Sequence, residues 1–325
     1  MIESRRAPVL LTVGDPNGIG PEIAVKAAIS LFDNKELRPV IIGERYLVEP
    51  FARQAGFGIE VQKKNWGECG KSIDLLTVDH MAPTDFSPGT VSAAAGKATV
   101  AYVQTALEQL QENFGRAIVG CPHCEIAVNS SGRNFSGYPS LLSELLDIGP
   151  DNVFLMLIGG GLRIVHATLH ESVSSSLSRL SPELIEKAAV AADRALRNLG
   201  IEKPKIGLFG INPHAGENGL FGSEDNLISV PAASLIRARG IDICGPQGAD
   251  TMLARNDIDV FVAMYHDQGH IPVKLLAGRN ASALTIGGGI MFSSVGHGAA
   301  FDIAGQNIAD PEAVIRAIHL VGGVG

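Results

Sequence analysis

Short apolar, β-branched runs recur along the chain at Val9 to Val13, Pro39 to Ile42, Ala117 to Val119, Val153 to Leu157, Lys205 to Phe209 and Val260 to Met264. Between them lie segments whose apolar residues return at helical spacing: Glu22 to Leu31, Ser92 to Leu110, Pro182 to Leu199 and Val230 to Ala238. This alternation is the signature of parallel strands joined by crossover helices, and it predicts an α/β fold. No repeat and no low-complexity linker interrupts it, so a second domain would have to be cut from the continuous pattern.

Composition narrows the functional classes. With 325 residues, 46% hydrophobic and 18% charged, the chain can bury one large core or two moderate ones. Thirty-eight glycines against 5% aromatics favour many tight strand-to-helix turns and a loop-built site. The net charge of -8 comes without any basic run, which removes the electrostatic basis for binding nucleic acid or an anionic membrane and leaves small molecules as partners. The apolar stretch after Pro8 is too short for a signal sequence, and no apolar run approaches the roughly 20 residues that span a bilayer. A cytoplasmic protein is expected. Four cysteines, Cys69, Cys121, Cys124 and Cys244, form no disulfide framework in a chain of this length, which fits a reducing compartment.

Four segments carry candidate chemistry. Gly14-Asp-Pro-Asn-Gly-Ile-Gly-Pro-Glu22 follows a strand and opens a helix, with Pro21 suited to the first turn and Glu22 to the positive helix end. Its glycine spacing is not the dinucleotide fingerprint, so a phosphate cradle and a plain tight turn both remain open. Cys121-Pro-His-Cys124 has the spacing of a thiol-disulfide motif but no thioredoxin-like surround and no second Cys pair to complete a zinc tetrad; a strand-end loop presenting His123 and Glu125 is the alternative. Three histidines, His170, His214 and His266, each follow a strand candidate in polar surroundings. At the C-terminal edges of parallel strands they could converge on one cation with coordination positions left for substrate, whereas a lone histidine at such a place is more often structural. Finally, Ser293 to Pro311 reads as a backbone-rich cradle for an adenosine, with Asp302 able to accept hydrogen bonds from ribose hydroxyls and to repel a 2′-phosphate; NAD is thereby preferred over NADP.

In order and over nearly the whole length, the Gly14 to Glu22 segment, Asn212-Pro-His-Ala-Gly-Glu217, Tyr265-His-Asp-Gln-Gly269, Lys274 and His297-Gly298 resemble the 4-hydroxythreonine-4-phosphate dehydrogenase family. The resemblance implies an isocitrate/isopropylmalate dehydrogenase-like α/β fold: two α/β/α domains with an active-site cleft between them. Residues 1–128 plus 285–325 would form one domain, and residues 129–284 the other, carrying the dimer contact and metal site. It further implies a homodimer with a shared active site and a divalent metal held by His170, His214 and His266, the last from the partner subunit. Zinc is favoured by the imidazole donors; cobalt, iron, manganese and magnesium are the other candidates. The 295–311 loop is similar to the adenosine loop of β-decarboxylating dehydrogenases, placing His297, Gly298, Ala299, Ala300, Asp302 and Asp310 around NAD.

Departures from the family pattern point to the substrate. Gly137-Tyr-Pro-Ser140 stands where the phosphate-substrate enzymes carry Gly-His-Thr-Glu, and Ala283 and Phe292 stand where they carry asparagine and arginine. These residues cannot bind a phosphate dianion. The altered pattern resembles the terephthalate dihydrodiol dehydrogenases, and it implies that His123, Tyr138, Lys274, Phe292 and Ser293 contact an aromatic diacid diol, with Tyr138 and Phe292 flanking its ring. Lys274, Asp267 and Asp250 are the candidates for acid/base or orienting roles. The expected reaction is NAD-linked oxidation with loss of CO2. The competing readings are a 4-hydroxythreonine-4-phosphate or threonate-4-phosphate dehydrogenase, a thiol oxidoreductase on Cys121 and Cys124, and a non-catalytic metal-binding protein.

Overall fold

The computed structural model describes residues 7–34, 36–61, 70–135, 137–278 and 281–323. The chain divides into two compact α/β units, one made of residues 1–141 and 291–325 and the other of residues 142–290. The cuts at 141/142 and 290/291 compare with the 128/129 and 284/285 read from the sequence. Among the described residues, no helix is long and apolar enough to cross a membrane.

In the first unit the chain forms β1 (Val9–Thr12), α1 (Gly20–Ser30), β2 (Pro39–Gly43), α2 (Arg45–Gln54), β3 (Gly58–Val61), β4 (Ser72–Thr77), α3 (Ala93–Gln111), β5 (Ala117–Gly120) and α4 (Glu125–Ser130). Helix α5 (Tyr138–Leu145) runs across the cut. The strands order as β3-β4-β2-β1-β5 and end on β12 (Ile290–Ser294), every pair parallel. Every residue of β1, β2 and β5 is buried, which is why these strands read as continuous apolar runs rather than alternating ones. Helix α3 starts where the Ser92 hydroxyl accepts the amide of Ala95, satisfying an amide that has no partner within the helix.

The second unit holds β6 (Val153–Gly159), β7 (Leu162–His166), α6 (Val173–Arg179), α7 (Pro182–Asn198), β8 (Lys205–Phe209), α8 (Val230–Ala238), β9 (Asp242–Gln247), α9 (Ala249–Leu253), β10 (Val260–Ala263), α10 (His266–Ala277) and β11 (Ser282–Gly287). Helix α11 (Glu312–Gly322) belongs to the first unit and closes the described chain. The strand order is β11-β6-β7-β10-β8-β9. Strands β7, β10, β8 and β9 are parallel, but β6 is antiparallel to both β7 and β11. That corrects the all-parallel expectation. The reversal is made by Gly160 and Gly161, a two-residue turn with φ of 60° and 81°, the left-handed geometry that suits a hairpin. Leu157, Ile164, Phe209, Met252, Phe261, Ala263 and Val273 pack into one cluster in this unit. Each of the larger side chains contributes about 1.5–3 kcal/mol by its burial. Helix α7 starts on Ser181, whose hydroxyl accepts the Leu184 amide, with Pro182 in the first turn.

Candidate functional site

The parallel strands β7, β8 and β10 bring their C-terminal ends to one edge, and the three expected ligands stand on the loops or helix that follow them. Beyond β7 the chain stays zipped to β10: the amide of Ala167 donates to the Ala263 carbonyl at 2.8 Å, and the Thr168 hydroxyl donates to the Met264 carbonyl at 2.7 Å. This carries His170 to the start of α10, where its ring centroid lies 5.5 Å from that of His266. Gln268 ties β10 to β8, accepting the Met264 amide and donating to the Gly210 carbonyl, both at 2.8 Å.

His214 sits in an unusual segment. From His214 to Asn218 every residue has φ between 41° and 75°, a left-handed run that includes four non-glycine residues. Left-handed backbone costs an L-residue about 1–2 kcal/mol, so the loop must be held by its surroundings. Asp225, buried, holds it: its carboxylate accepts the amides of Ile211 and Asn212 at 2.8 and 3.0 Å and the Ser229 hydroxyl at 2.6 Å. Asp250 and His214 flank Gly248; a Cβ on that glycine would lie 2.9 Å from the Asp250 carboxylate and 3.5 Å from the His214 backbone. The His214 ring faces Phe221.

A single chain therefore brings His170 and His266 together but not His214 with them. Among the described residues, no group of three His, Cys, Asp or Glu side chains could hold a metal ion. Each of the two imidazoles, taken by itself, has donor chemistry that fits a borderline divalent cation. His266 Nδ1 lies 2.8 Å from Asp267 Oδ1, an acceptor, so the proton resides on Nδ1 and the Nε2 lone pair is left for a ligand role. Desolvation and the nearby His266 both lower the pKa of His170, favouring the neutral, metal-binding form. Asp267 is thus an orienting partner of His266 in this structure, and Lys274 is exposed on the same helix.

Two histidines not expected from the sequence complete this region. His166, the last residue of β7, is 1% exposed, and its Nε2 lies 2.9 Å from Nδ1 of His270. The His270 ring stacks on His266, with centroids 3.8 Å apart and planes 13° from parallel. Burial first, and the neighbouring imidazoles after it, push His166 down to about 3 and His270 to about 4, so both are neutral. The cue was present as His166 and His270 on either side of the motif histidines, but their contact spans 104 residues.

In the first unit, the glycine-rich turn resolves as a clamp rather than a phosphate cradle. The amide of Asp15 donates to Pro122 O at 2.8 Å, that of Asn17 to Asp15 Oδ1 at 2.9 Å, that of Gly18 to Asp15 O at 3.1 Å and that of Ile19 to Ala299 O at 2.9 Å. These amides are already engaged. A Cβ on Gly18 would meet Ala299 Cβ and O at 2.7 Å, so the turn and the expected adenosine loop are in close contact. Glu22, fully buried, accepts the amides of Ala309 at 2.6 Å and Asn307 at 3.2 Å and pairs with Lys26 at 2.8 Å; Lys26 in turn donates to the carbonyls of both residues. Motif and loop form one unit of structure.

That loop leaves His297, Gly298, Asp302 and Asp310 exposed, with Ala300 half-buried and Ala299 buried. Ala300 has φ of 45°, and Asp310 Oδ1 accepts the Glu312 amide at 3.0 Å, a local role at the start of α11. Asp15 is wholly buried, its Oδ2 has no hydrogen-bond partner among the described residues, and burial raises its pKa to about 6.

At the ends of β5 and β12 stands an aromatic block. His123 meets Phe135 and Tyr138 edge-on at 5.1 and 4.7 Å, and Tyr138 lies against Phe292 with centroids 4.3 Å apart. Phe292 is 1% exposed and Tyr138 6%, so the two rings fill the space between them and do not flank a third, a correction to the sequence reading. Ser293, the next residue of β12, is fully buried. Among the described residues, His123 Nε2 and the Tyr138 hydroxyl are buried without a hydrogen-bond partner, and desolvation keeps His123 neutral and raises the Tyr138 phenol. Cys121 and Cys124 are free thiols; Cys121 is fully buried, and burial pushes its thiol up, away from the thiolate that redox exchange needs. Cys69 and Ser136 lie outside the described residues.

Comparison with known proteins agrees over the full fold. The chain is 46% identical over 312 residues to the 1,2-dihydroxy-3,5-cyclohexadiene-1,4-dicarboxylate dehydrogenase of Comamonas sp., covering 96% of each chain. It is 36% identical over 321 residues to the D-threonate 4-phosphate dehydrogenase of Cupriavidus necator, again covering 96% of each. The crystal structure of a terephthalate 1,2-cis-dihydrodiol dehydrogenase from Burkholderia xenovorans LB400 superposes with a TM-score of 0.85 at 49% identity, covering 98% of both chains. The model of the family described as pyridoxal phosphate biosynthetic protein PdxA matches residues 35–321, and the chain belongs to that family.

Proposed function

We propose that this chain is an NAD-linked, metal-dependent dehydrogenase that converts a carboxylated cis-dihydrodiol, 1,2-dihydroxy-3,5-cyclohexadiene-1,4-dicarboxylate, to protocatechuate and CO2. The observation that carries the substrate choice is the aromatic block. His123, Phe135, Tyr138 and Phe292 pack into an uncharged block, so the positions where the phosphate-substrate enzymes carry a histidine and an arginine, held here by Tyr138 and Phe292, supply no group to a phosphate, and the carboxylates of the diol are left to Lys274 and the metal. The 46% and 49% identities to relatives named for this diol support the same choice.

His170, His214 and His266 would hold the metal in a homodimer of isocitrate dehydrogenase-like fold, with His266 drawn from the partner subunit. A divalent ion there supplies positive charge for the oxygen that gains electron density in the reaction. The loop from His297 to Asp310 would hold NAD, which would supply the hydride acceptor for the secondary carbinol carbon. The resulting ketone lies β to the carboxylate on the neighbouring carbon, so CO2 leaves with its bonding electrons held by the carbonyl, and the enol formed is the catechol ring. Lys274, exposed on α10, is the group we assign to orienting a substrate carboxylate or moving a proton, and Asp250 stands beside His214 in an orienting place.

The test is NADH formation by metal-restored protein given the dihydrodiol diacid or a phosphorylated threonate. Turnover of the diol with release of one CO2 per NADH is expected. Turnover of the phosphate ester alone would reassign the chain to the D-threonate 4-phosphate branch.

A further inference from the structure

The His166 and His270 imidazoles have no part in the reaction as written, yet their arrangement is closely defined. His166 Nδ1 lies 3.2 Å from the Leu155 carbonyl, which can only accept, so Nδ1 carries the proton and Nε2 presents a lone pair. That lone pair faces His270 Nδ1 at 2.9 Å, which must therefore carry a proton and donate. The buried ring of His166 thus fixes the tautomer and rotation of His270. His270 in turn lies flat against His266 one helical turn earlier, at 3.8 Å and 13°. The approach of His166 to α10 depends on Gly269, where a Cβ would stand 2.4 Å from His166 Nε2. His266 is then held on two sides, by the stacked ring and by Asp267 at Nδ1.

We infer that His166 and His270 are positioning residues: the hydrogen-bonded pair forms a fixed platform that sets the plane of the His266 imidazole and so aims its Nε2 at a divalent cation. The inference rests on the reading of His266 as a metal ligand. A ligand ring that is oriented beforehand loses less freedom on binding, and outer partners of this kind are worth about 10–100-fold in metal affinity.

The experiment uses the full-length, metal-stripped protein titrated with cobalt(II), followed by the visible bands of the bound ion and by chelator competition, with neither NAD nor substrate present. His270→Ala removes the platform, and cobalt affinity should fall about 10–100-fold with the stoichiometry unchanged. His270→Phe keeps a flat ring but loses the hydrogen bond to His166 that fixes its rotation, so its affinity should lie between those of the unsubstituted protein and His270→Ala. Gly269→Ala pushes His166 away and should weaken binding in a protein whose thermal unfolding shows it folded. Cobalt affinity unchanged in folded His270→Ala overturns the inference. So does a His270→Phe affinity equal to that of the unsubstituted protein, which would show that the hydrogen bond to His166 is idle, or equal to that of His270→Ala, which would show that the flat ring is. If the unsubstituted protein takes up no cobalt, or His266→Ala binds it undiminished, the ligand reading of His266 fails and takes the inference with it.

Discussion

Glu22 is the residue through which the glycine-rich motif controls the expected cofactor loop, and its replacement gives the sharpest stability prediction. Its side chain is 1% exposed, accepts two backbone amides from residues 307 and 309, and is paired with Lys26, whose side chain is 28% exposed. Hydrogen bonds to a charged acceptor are worth about 1.5–3 kcal/mol each. Glu22→Ala removes both and leaves the half-buried Lys26 ammonium facing only carbonyls. Because the 307–309 segment can partly recover its bonds from water, the expected loss is about 3–5 kcal/mol, a large share of the roughly 5–15 kcal/mol typical of a native protein. Glu22→Gln, which keeps one oxygen near the Ala309 amide, should cost less, about 1.5–3 kcal/mol. Lys26→Met leaves the fully buried carboxylate with its amides but without its counter-charge and should cost about as much as Glu22→Ala, about 3–5 kcal/mol. Urea unfolding measures the three losses, and calorimetric titration with NAD should show weakened binding in the same order, as the loop from His297 to Asp310 loses its anchor. A Glu22→Ala protein within about 0.5 kcal/mol of the parent would refute the clamp.

Asp15 should make stability pH-dependent in a definite direction. Its pKa rises on folding from the ordinary aspartate value of 3.8 to about 6 because burial penalises the carboxylate, so the folded state is favoured below about pH 4 and loses stability as pH rises through 6. Asp15→Asn, which retains the oxygen that accepts the Asn17 amide, should therefore be more stable than the parent by about 2–3 kcal/mol at pH 8 and about equal to it at pH 4, read from urea midpoints. Ala215, at φ of 53° within the left-handed run, should be improved by glycine: Ala215→Gly is expected to raise stability by about 0.5–1 kcal/mol, and a fall in Tm would show that the alanine side chain contributes packing that outweighs its backbone strain.

The sequence by itself determined the elements whose burial leaves a local imprint. Fully buried β1, β2 and β5 appear as unbroken apolar runs, and α7 appears as a helical stripe between Ser181 and Asn198. It also marked His170, His214 and His266 as strand-end residues, because polar groups interrupt the pattern there. The antiparallel course of β6 was signalled only by Gly160 and Gly161, a cue of two residues that the surrounding α/β rhythm obscures. Other features depended on tertiary structure alone. Whether the Gly14 to Glu22 turn cradles a phosphate or clamps a loop depended on which acceptors reached its amides, and Pro122 and Ala299 are more than a hundred residues away. Tyr138 and Phe292 were legible as aromatic replacements, but not as two rings in contact with no gap between them. The His166 and His270 pair exists because β7 ends beside a glycine of α10, a coincidence of register that periodicity does not encode. Local pattern reports burial, since burial acts on each residue in turn; pairing of polar atoms across the fold is a property of three-dimensional proximity, and only the packed structure decides it.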